Sequence, residues 1–275
     1  MPHAASRTRF LPALDAGAEI AWDELTRGWI LSIGGAEQSH VDLADPSRVF
    51  YEYLARIARA ADVLRPAGRP VRALHLGGGA MTLPRYLRAT RPGSQQTIVE
   101  LARELPGFVL EHLPWPGPDE PRLLIGDARE QLAALRAEGA PPFELVVLDV
   151  FAGDDAPPHL RERSFYEEIA ALLAPDGALA VNVGDDPGLG FFAEQAERVL
   201  AACDEHDAPA FADLWCLADA TMLDRGRAGN LILLGSPTPL PRGHLEALRA
   251  AGPHPAAVLD RMGLEDWLRE GDRGR

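Results

Sequence analysis

Three apolar runs of the chain end in an acid. QQTIVEL (95–101) carries Glu100 next to its last residue, Leu101; PRLLIGD (121–127) ends at Asp127; FELVVLD (143–149) ends at Asp149. A fourth run, VRALHLG (71–77), leads into Gly77, Gly78 and Gly79. Glycines after a strand let a ligand approach the backbone, and the N-terminus of a following helix favours negative or electron-rich groups. The same glycines could equally form a tight turn. As a dinucleotide fingerprint they fail, since Thr82 stands where the third glycine of GxGxxG belongs. Glu100 lies 21 positions beyond Gly79. A carboxylate there offers two oxygens to the two hydroxyls of a ribose, or is simply a solvated acid at a strand end. Asp127 stands just before Ala128, which opens a helix. It can cap that helix, accept a hydrogen bond from an exocyclic adenine amine, or do both. The glycine loop, Glu100 and Asp127 together describe an adenosine site.

The third acid raises a different chemistry. LDVFAGDDAPPHL (148–160) holds Asp149, Asp154 and Asp155. An ammonium taken out of water needs a carboxylate partner, and an attacking amine needs a base within hydrogen-bond reach. Asp149 stands at the strand end, where such a group could act. Asp154 and Asp155 could join it if residues 151–155 bulge; otherwise they are solvated loop acids ahead of Pro157 and Pro158. His159 is a candidate base, because its ordinary pKa is near neutral, or a surface histidine. Tyr51, Tyr166 and Asp185 are further polar residues near the expected site.

These residues need a scaffold. From Glu19 to Leu43, short alternating runs broken at Arg27-Gly28 and Gly34-Gly35 predict a small β-hairpin or meander. A helix is expected over RVFYEYLARIARAADVL, opened by Asp45-Pro46-Ser47. Beyond Pro70, strands alternate with helices, and the strands are continuous apolar runs, which predicts a parallel sheet covered on both faces. Helices are expected at TLPRYLRAT, at ARELPGFVLEHL with a break at Pro106-Gly107, and at ERSFYEEIAALLAPDG with Gly177 just past its end. DLWCLADA and NLILLGS have no long helix between them and predict an antiparallel pair at one sheet edge. That ending marks a class I methyltransferase-type sheet rather than a dehydrogenase. The expected organisation is a flexible N-terminus (1–18), a small β-hairpin domain with a linking helix (19–68), a Rossmann-like nucleoside-binding domain (69–240) and a C-terminal helical extension (241–275), with Trp267 as an anchor.

Composition narrows the function. The net charge of −14 on 275 residues argues against a nucleic-acid partner and suits a cationic small substrate, though solubility and coding bias explain it as well. All 27 basic residues are arginine. Without lysine there is no P-loop lysine and no Schiff base, which removes P-loop NTPases and pyridoxal enzymes. Cys203 and Cys216 have no metal-site spacing and read as small apolar residues, so no metal is expected. MPHAASRTRF has no apolar h-region and no run approaches membrane length. The expectation is a soluble cytoplasmic protein with no membrane partner.

VRALHLGGGAMTLPRYL, QQTIVEL, PRLLIGDARE and LVVLDVFAGDDAPPHLRERSFYEEIAALLAPDGALAVNV, with WILSIGGAEQSHVDL before them, resemble the spermidine-synthase-like (polyamine aminopropyltransferase) family in order and spacing, over about Trp22 to Ser236. The resemblance implies a Rossmann-like methyltransferase fold with a small N-terminal β-domain. It implies a ligand that is S-adenosylmethionine, its decarboxylated form or the product methylthioadenosine, with Gln38 near the thioether side. Glu100 would hold the ribose, Asp127 the adenine and Asp149 the amine of the cofactor's side chain. A small-molecule amine or other nucleophile would be the acceptor, and a homodimer is common in such families. Departures are specific. Family synthases have an aspartate after the three glycines, where this chain has Ala80, and another after the Glu-Leu pair, where it has Ala102. They carry a second aspartate three positions beyond the first at the fourth strand's end, where it has Ala152. The change at Ala102 is the less telling one; losing two of these carboxylates weakens polyamine binding and deprotonation, so the expectation is an alkyl transferase, aminopropyl or methyl, with an altered acceptor. The alternative is a catalytically degenerate nucleoside-binding protein with a regulatory or assembly role. An NAD-dependent dehydrogenase is disfavoured by Thr82 and the paired terminal strands.

Overall fold

The computed structural model describes residues 6–152 and 156–273. Four strands come first, β1 (Arg7–Leu11), β2 (Ala16–Asp23), β3 (Gly28–Ile33) and β4 (Ala36–Val41), and form an antiparallel sheet in that order. Arg27 and Gly34-Gly35 take positive φ at two of its turns, as tight hairpins require. β1 corrects the expectation of a flexible segment over 1–18. RTRFL shows no apolar alternation, and its first four residues are exposed. It is held instead by the backbone ladder to β2, from Arg7↔Ile20 to Leu11↔Ala16, and by fully buried Leu11.

Helix α1 (Glu52–Leu64) begins later than Asp45-Pro46-Ser47 suggested. The Asp42 carboxylate accepts from the amides of Ala44 and Asp45, and Asp45 accepts from the Ser47 amide. These local bonds offer the backbone a turn in place of the first helical turn. There follow β5 (Arg72–Leu76), α2 (Thr82–Thr90), β6 (Gln95–Glu100), α3 (Glu104–His112), β7 (Arg122–Ile125), α4 (Ala128–Ala137), β8 (Phe143–Ala152), α5 (Arg163–Ala170), β9 (Leu173–Asp185), α6 (Gly190–Leu200), β10 (Asp213–Asp219), β11 (Gly229–Ser236), α7 (Arg242–Ala251), β12 (Ala256–Leu259) and α8 (Arg261–Arg273). Pro106 does not interrupt α3, because it lies in the first turn, where a missing N–H loses no bond. Gly177 does not follow a helix. It lies inside β9, where an added Cβ would stand 2.8 Å from the Phe143 carbonyl oxygen.

The large sheet has the order β12-β10-β11-β9-β8-β5-β6-β7. β7, β6, β5, β8 and β9 are parallel; β11 runs antiparallel to β9 and to β10. The expected β10–β11 pair is present, but the edge strand is β12, from the segment expected to be helical only. Its four residues are too few for a periodic signal. One sheet face is covered by α4, α5, α6 and α8 and the other by α1, α2 and α7. Trp267 of α8 packs on Phe192 and donates to the Leu223 carbonyl, which is the anchoring expected of it. This is a Rossmann-like sheet of the class I methyltransferase type with an N-terminal antiparallel β-sheet. Chain order reverses between β5 and β8, and in such sheets the ligand crevice lies beyond the carboxyl ends of the strands at that point. Among the described residues no helix is long and apolar enough to cross a membrane.

Candidate functional site

A bulge builds the centre of the site. Leu148 pairs with Val181 and Phe151 with Val183, so Asp149 and Val150 of β8 oppose the single residue Asn182 of β9. Asn182 Nδ2 donates to Asp149 Oδ1 at 2.7 Å, and Asn182 Oδ1 accepts from Asn230 Nδ2 at 3.0 Å. The bulge also carries the Asp149 carbonyl towards β5. A Cβ on Gly77 would stand 2.3 Å from that oxygen, and Gly77 has φ +99°, so this position needs glycine on both counts. Burial pushes the Asp149 carboxyl up from its ordinary value, and the Asn182 hydrogen bond opposes the rise. Asp154 and Asp155 lie outside the described residues.

Glu100 closes the glycine loop from β6. Its Oε1 accepts from the Ala102 amide (2.9 Å) and its Oε2 from the Gly78 amide (3.0 Å). Burial raises its pKa, while these amides and those of Gly79 and Leu101 pull it back. The two direct amide bonds take one lone pair on each oxygen and leave the other. Beneath the loop, His75 Nε2 meets Gln96 Oε1 at 3.1 Å, and Gln96 Nε2 donates to the Pro84 carbonyl. That orientation of Gln96 assigns the hydrogen to His75 Nε2. Burial lowers the His75 pKa to about 4, so the ring is neutral.

Asp127 does cap α4: its Oδ1 accepts from the Arg129 and Glu130 amides. Its Oδ2 pairs with His159 Nε2 at 2.8 Å. Burial pushes this carboxyl up, but the His159 bond and the two amides outweigh it and hold it below the usual range. Arg129 reaches Glu162, Glu168, Ser164 and the His159 carbonyl, and so pins the histidine segment beside Asp127.

All the expected ligand residues converge. Gln38, Gly77, Gly78, Gly79, Glu100, Leu101, Asp127, Ala128 and Asp149 line one cavity of about 370 Å³, within the size range of small-molecule sites. Tyr166 and Asp185 do not join it. The Tyr166 hydroxyl is buried against Gln195, and Asp185 accepts from the Phe192 amide. Three contributors carry weaker sequence signals. Tyr53 of α1 faces the cavity, and its hydroxyl donates to the Gln38 carbonyl. Ser39 of β4 caps the glycine loop, accepting from the Ala80 amide at 3.1 Å. Asn182 could have been found as the polar residue inside the apolar run ALAVNVG.

Comparison with known proteins follows this geometry. No family model matches the chain. Over 135 residues, 49% of its length, it is 28% identical to the polyamine aminopropyltransferase of Vibrio vulnificus, and the match spans 44% of that relative, less than half its length. A probable spermidine synthase from Corynebacterium glutamicum superposes over 98% of this chain and 94% of its own, with 28% identity and a TM-score of 0.81. The chain is similar to spermidine synthases over nearly its whole length. Human methyltransferase-like protein 13, solved with SAH, shares the fold alone: 22% identity and a TM-score of 0.56 over 79% of this chain and 91% of that one.

Two of the departures of this spermidine-synthase-like chain have a structural setting. Ala80 and Ala102 are both fully buried and share one apolar cluster with Leu11, Ile20 and Leu31 of the N-terminal sheet and Leu105 and Phe108 of α3. The two alanines lie where the small sheet packs against α3. An aspartate at either position would place a carboxylate in that contact.

Proposed function

We propose that this spermidine-synthase-like chain binds a sulfonium nucleoside, S-adenosylmethionine or its decarboxylated form, and transfers an alkyl group, aminopropyl or methyl, to a small nucleophile, an amine. The observation that carries the reading is the convergence of three strand-end carboxylates, Glu100, Asp127 and Asp149, on one cavity floored by glycines. The residues fit such a ligand. A Cβ at Gly78 would stand 3.1 Å from Glu100 Oε2, so the glycine leaves that carboxylate open to a ribose diol. The unused lone pairs of Asp127 suit an exocyclic amine, and exposed Leu101 offers an apolar surface to a base. Gln38 stands on the thioether side. Asp149 receives the ligand's amine and holds its side chain in line with the acceptor.

A sulfonium supplies an electrophilic carbon and a leaving thioether, with methylthioadenosine as the product after aminopropyl transfer. The protein's contribution is chiefly positioning for in-line displacement. Calorimetric titration with S-adenosylmethionine, its decarboxylated form, methylthioadenosine and NAD tests the reading. Binding of an adenosyl sulfonium and not of NAD is expected; no binding by any of the three nucleosides refutes it.

The burial of Ala80, together with the presence of alanine at position 152, favours a second reading, a catalytically degenerate nucleoside-binding protein. Nucleoside binding without turnover across amine, hydroxyl and thiol acceptors would select it.

A further inference from the structure

A second cavity, of about 470 Å³, adjoins the first and shares Tyr53 with it. Hydrogen bonds join their walls: Asp149 of the first is linked through Asn182 to Asn230 of the second. The charged groups lining it are mixed: Glu37, Glu52 and Asp219 with Arg56 and Arg227. Three of the five are answered within the protein. Arg56, only 4% exposed, pairs with Glu52 at 3.3 Å and reaches the Pro253 carbonyl. Asp219 accepts from the amide and hydroxyl of Thr221. Two remain. Glu37 Oε2 accepts from the Tyr51 hydroxyl at 2.7 Å. Arg227 is exposed, touches Thr221 Oγ1 at 3.4 Å and feels the charge of Asp219, but makes no ion pair within 4.0 Å with any described residue.

We infer that this cavity receives an acceptor that carries an anionic group as well as its amine, with Arg227 holding the anion and the Glu37–Tyr51 pair facing the amine. The inference deepens the proposed transfer and rests on it. Tyr51 and Tyr53 stack with ring centroids 6.4 Å apart at 11° and lead from Glu37 towards Asp149. An amine on this row meets carboxylates at both ends. A polyamine reaching Arg227 would set a cation against its guanidinium. A carboxylate on the acceptor instead gives Arg227 the planar two-oxygen partner its fork of donors matches.

The test uses the whole chain saturated with methylthioadenosine. Calorimetry compares 4-aminobutanoate and ornithine with putrescine and spermidine. The amino acids are expected to bind about fivefold or more tighter than the diamine, and Arg227→Glu to cancel that preference. Glu37→Gln should weaken every amine ligand. Methylthioadenosine affinity should stay unchanged in Arg227→Glu, since Arg227 lines only the second cavity. Putrescine binding as tightly as the amino acids, no binding by either amino acid, or a preference that survives Arg227→Glu overturns the inference. Failure of the unsubstituted protein to bind any adenosyl nucleoside is the separate result that refutes the underlying function.

Discussion

Asn182 is the single β9 residue opposite the two-residue bulge at Asp149 and Val150, and its amide donates to Asp149 Oδ1 at 2.7 Å. The bond opposes the rise that burial imposes on the carboxyl. An amine ligand needs Asp149 ionised, so its binding is lost as pH falls through the raised folded value. Asn182→Leu removes the donor and should move that acid limb to still higher pH. Asp149→Asn should abolish the limb together with the amine's affinity. Calorimetry with decarboxylated S-adenosylmethionine across pH reads both; an acid limb unmoved in Asn182→Leu refutes the coupling.

Glu100 accepts amide hydrogens on both oxygens. Glu100→Gln turns one oxygen into a donor that faces an N–H and removes the charge that would hold a diol. Nucleoside affinity should fall by about tenfold to a hundredfold, the range for lost hydrogen bonds to a charged group. Affinity within twofold of the parent would contradict the ribose assignment.

Ala80 is fully buried, with its amide bonded to Ser39 Oγ. Ala80→Asp restores the acid found in family synthases but leaves it inside the seat of the N-terminal sheet. The expected result is a loss of about 3 kcal/mol or more in urea-denaturation stability and no gain in putrescine turnover. A stable, more active Ala80→Asp protein would show that the seat can open.

His75 is buried and neutral, with its pKa lowered to about 4 from an ordinary 6.5. The unfolded chain binds a proton on this ring below about pH 6.5 and the folded chain does not until about pH 4, so stability falls as pH drops through that window. The contribution is about 3 kcal/mol when fully expressed. In His75→Gln the slope of stability against pH should flatten between pH 6.5 and 4. An unchanged slope would place the acid sensitivity elsewhere.

Much of the site is legible because its signals are local. Strands ending in Gly77, Glu100, Asp127 and Asp149 follow from apolar runs cut by a glycine or an acid, and the rule for doubly wound sheets puts strand ends beside the ligand. Asp127 could be expected as a helix cap because a cap is set by its own next three residues. β1 escaped that logic: RTRFL is polar chain held by a ladder to β2. So did the start of α1, where side-chain turns at Asp42 and Asp45 competed with the helix.

The sequence by itself determined the order of elements, the strand-end acids and the alanines at 80, 102 and 152. Only the tertiary structure decided what they face. The bulge at Asp149 exists because β8 and β9 pair out of step, and that register is fixed by partners distant in sequence. The same pairing sets Asn182 on Asp149 and demands glycine at 77. Ala80 and Ala102 became part of the seat of the N-terminal sheet because that sheet packs there against α3, a helix distant from it in sequence. Periodicity along one chain reports which face of an element is buried; what buries it is settled by contact between segments, and those contacts shape this site.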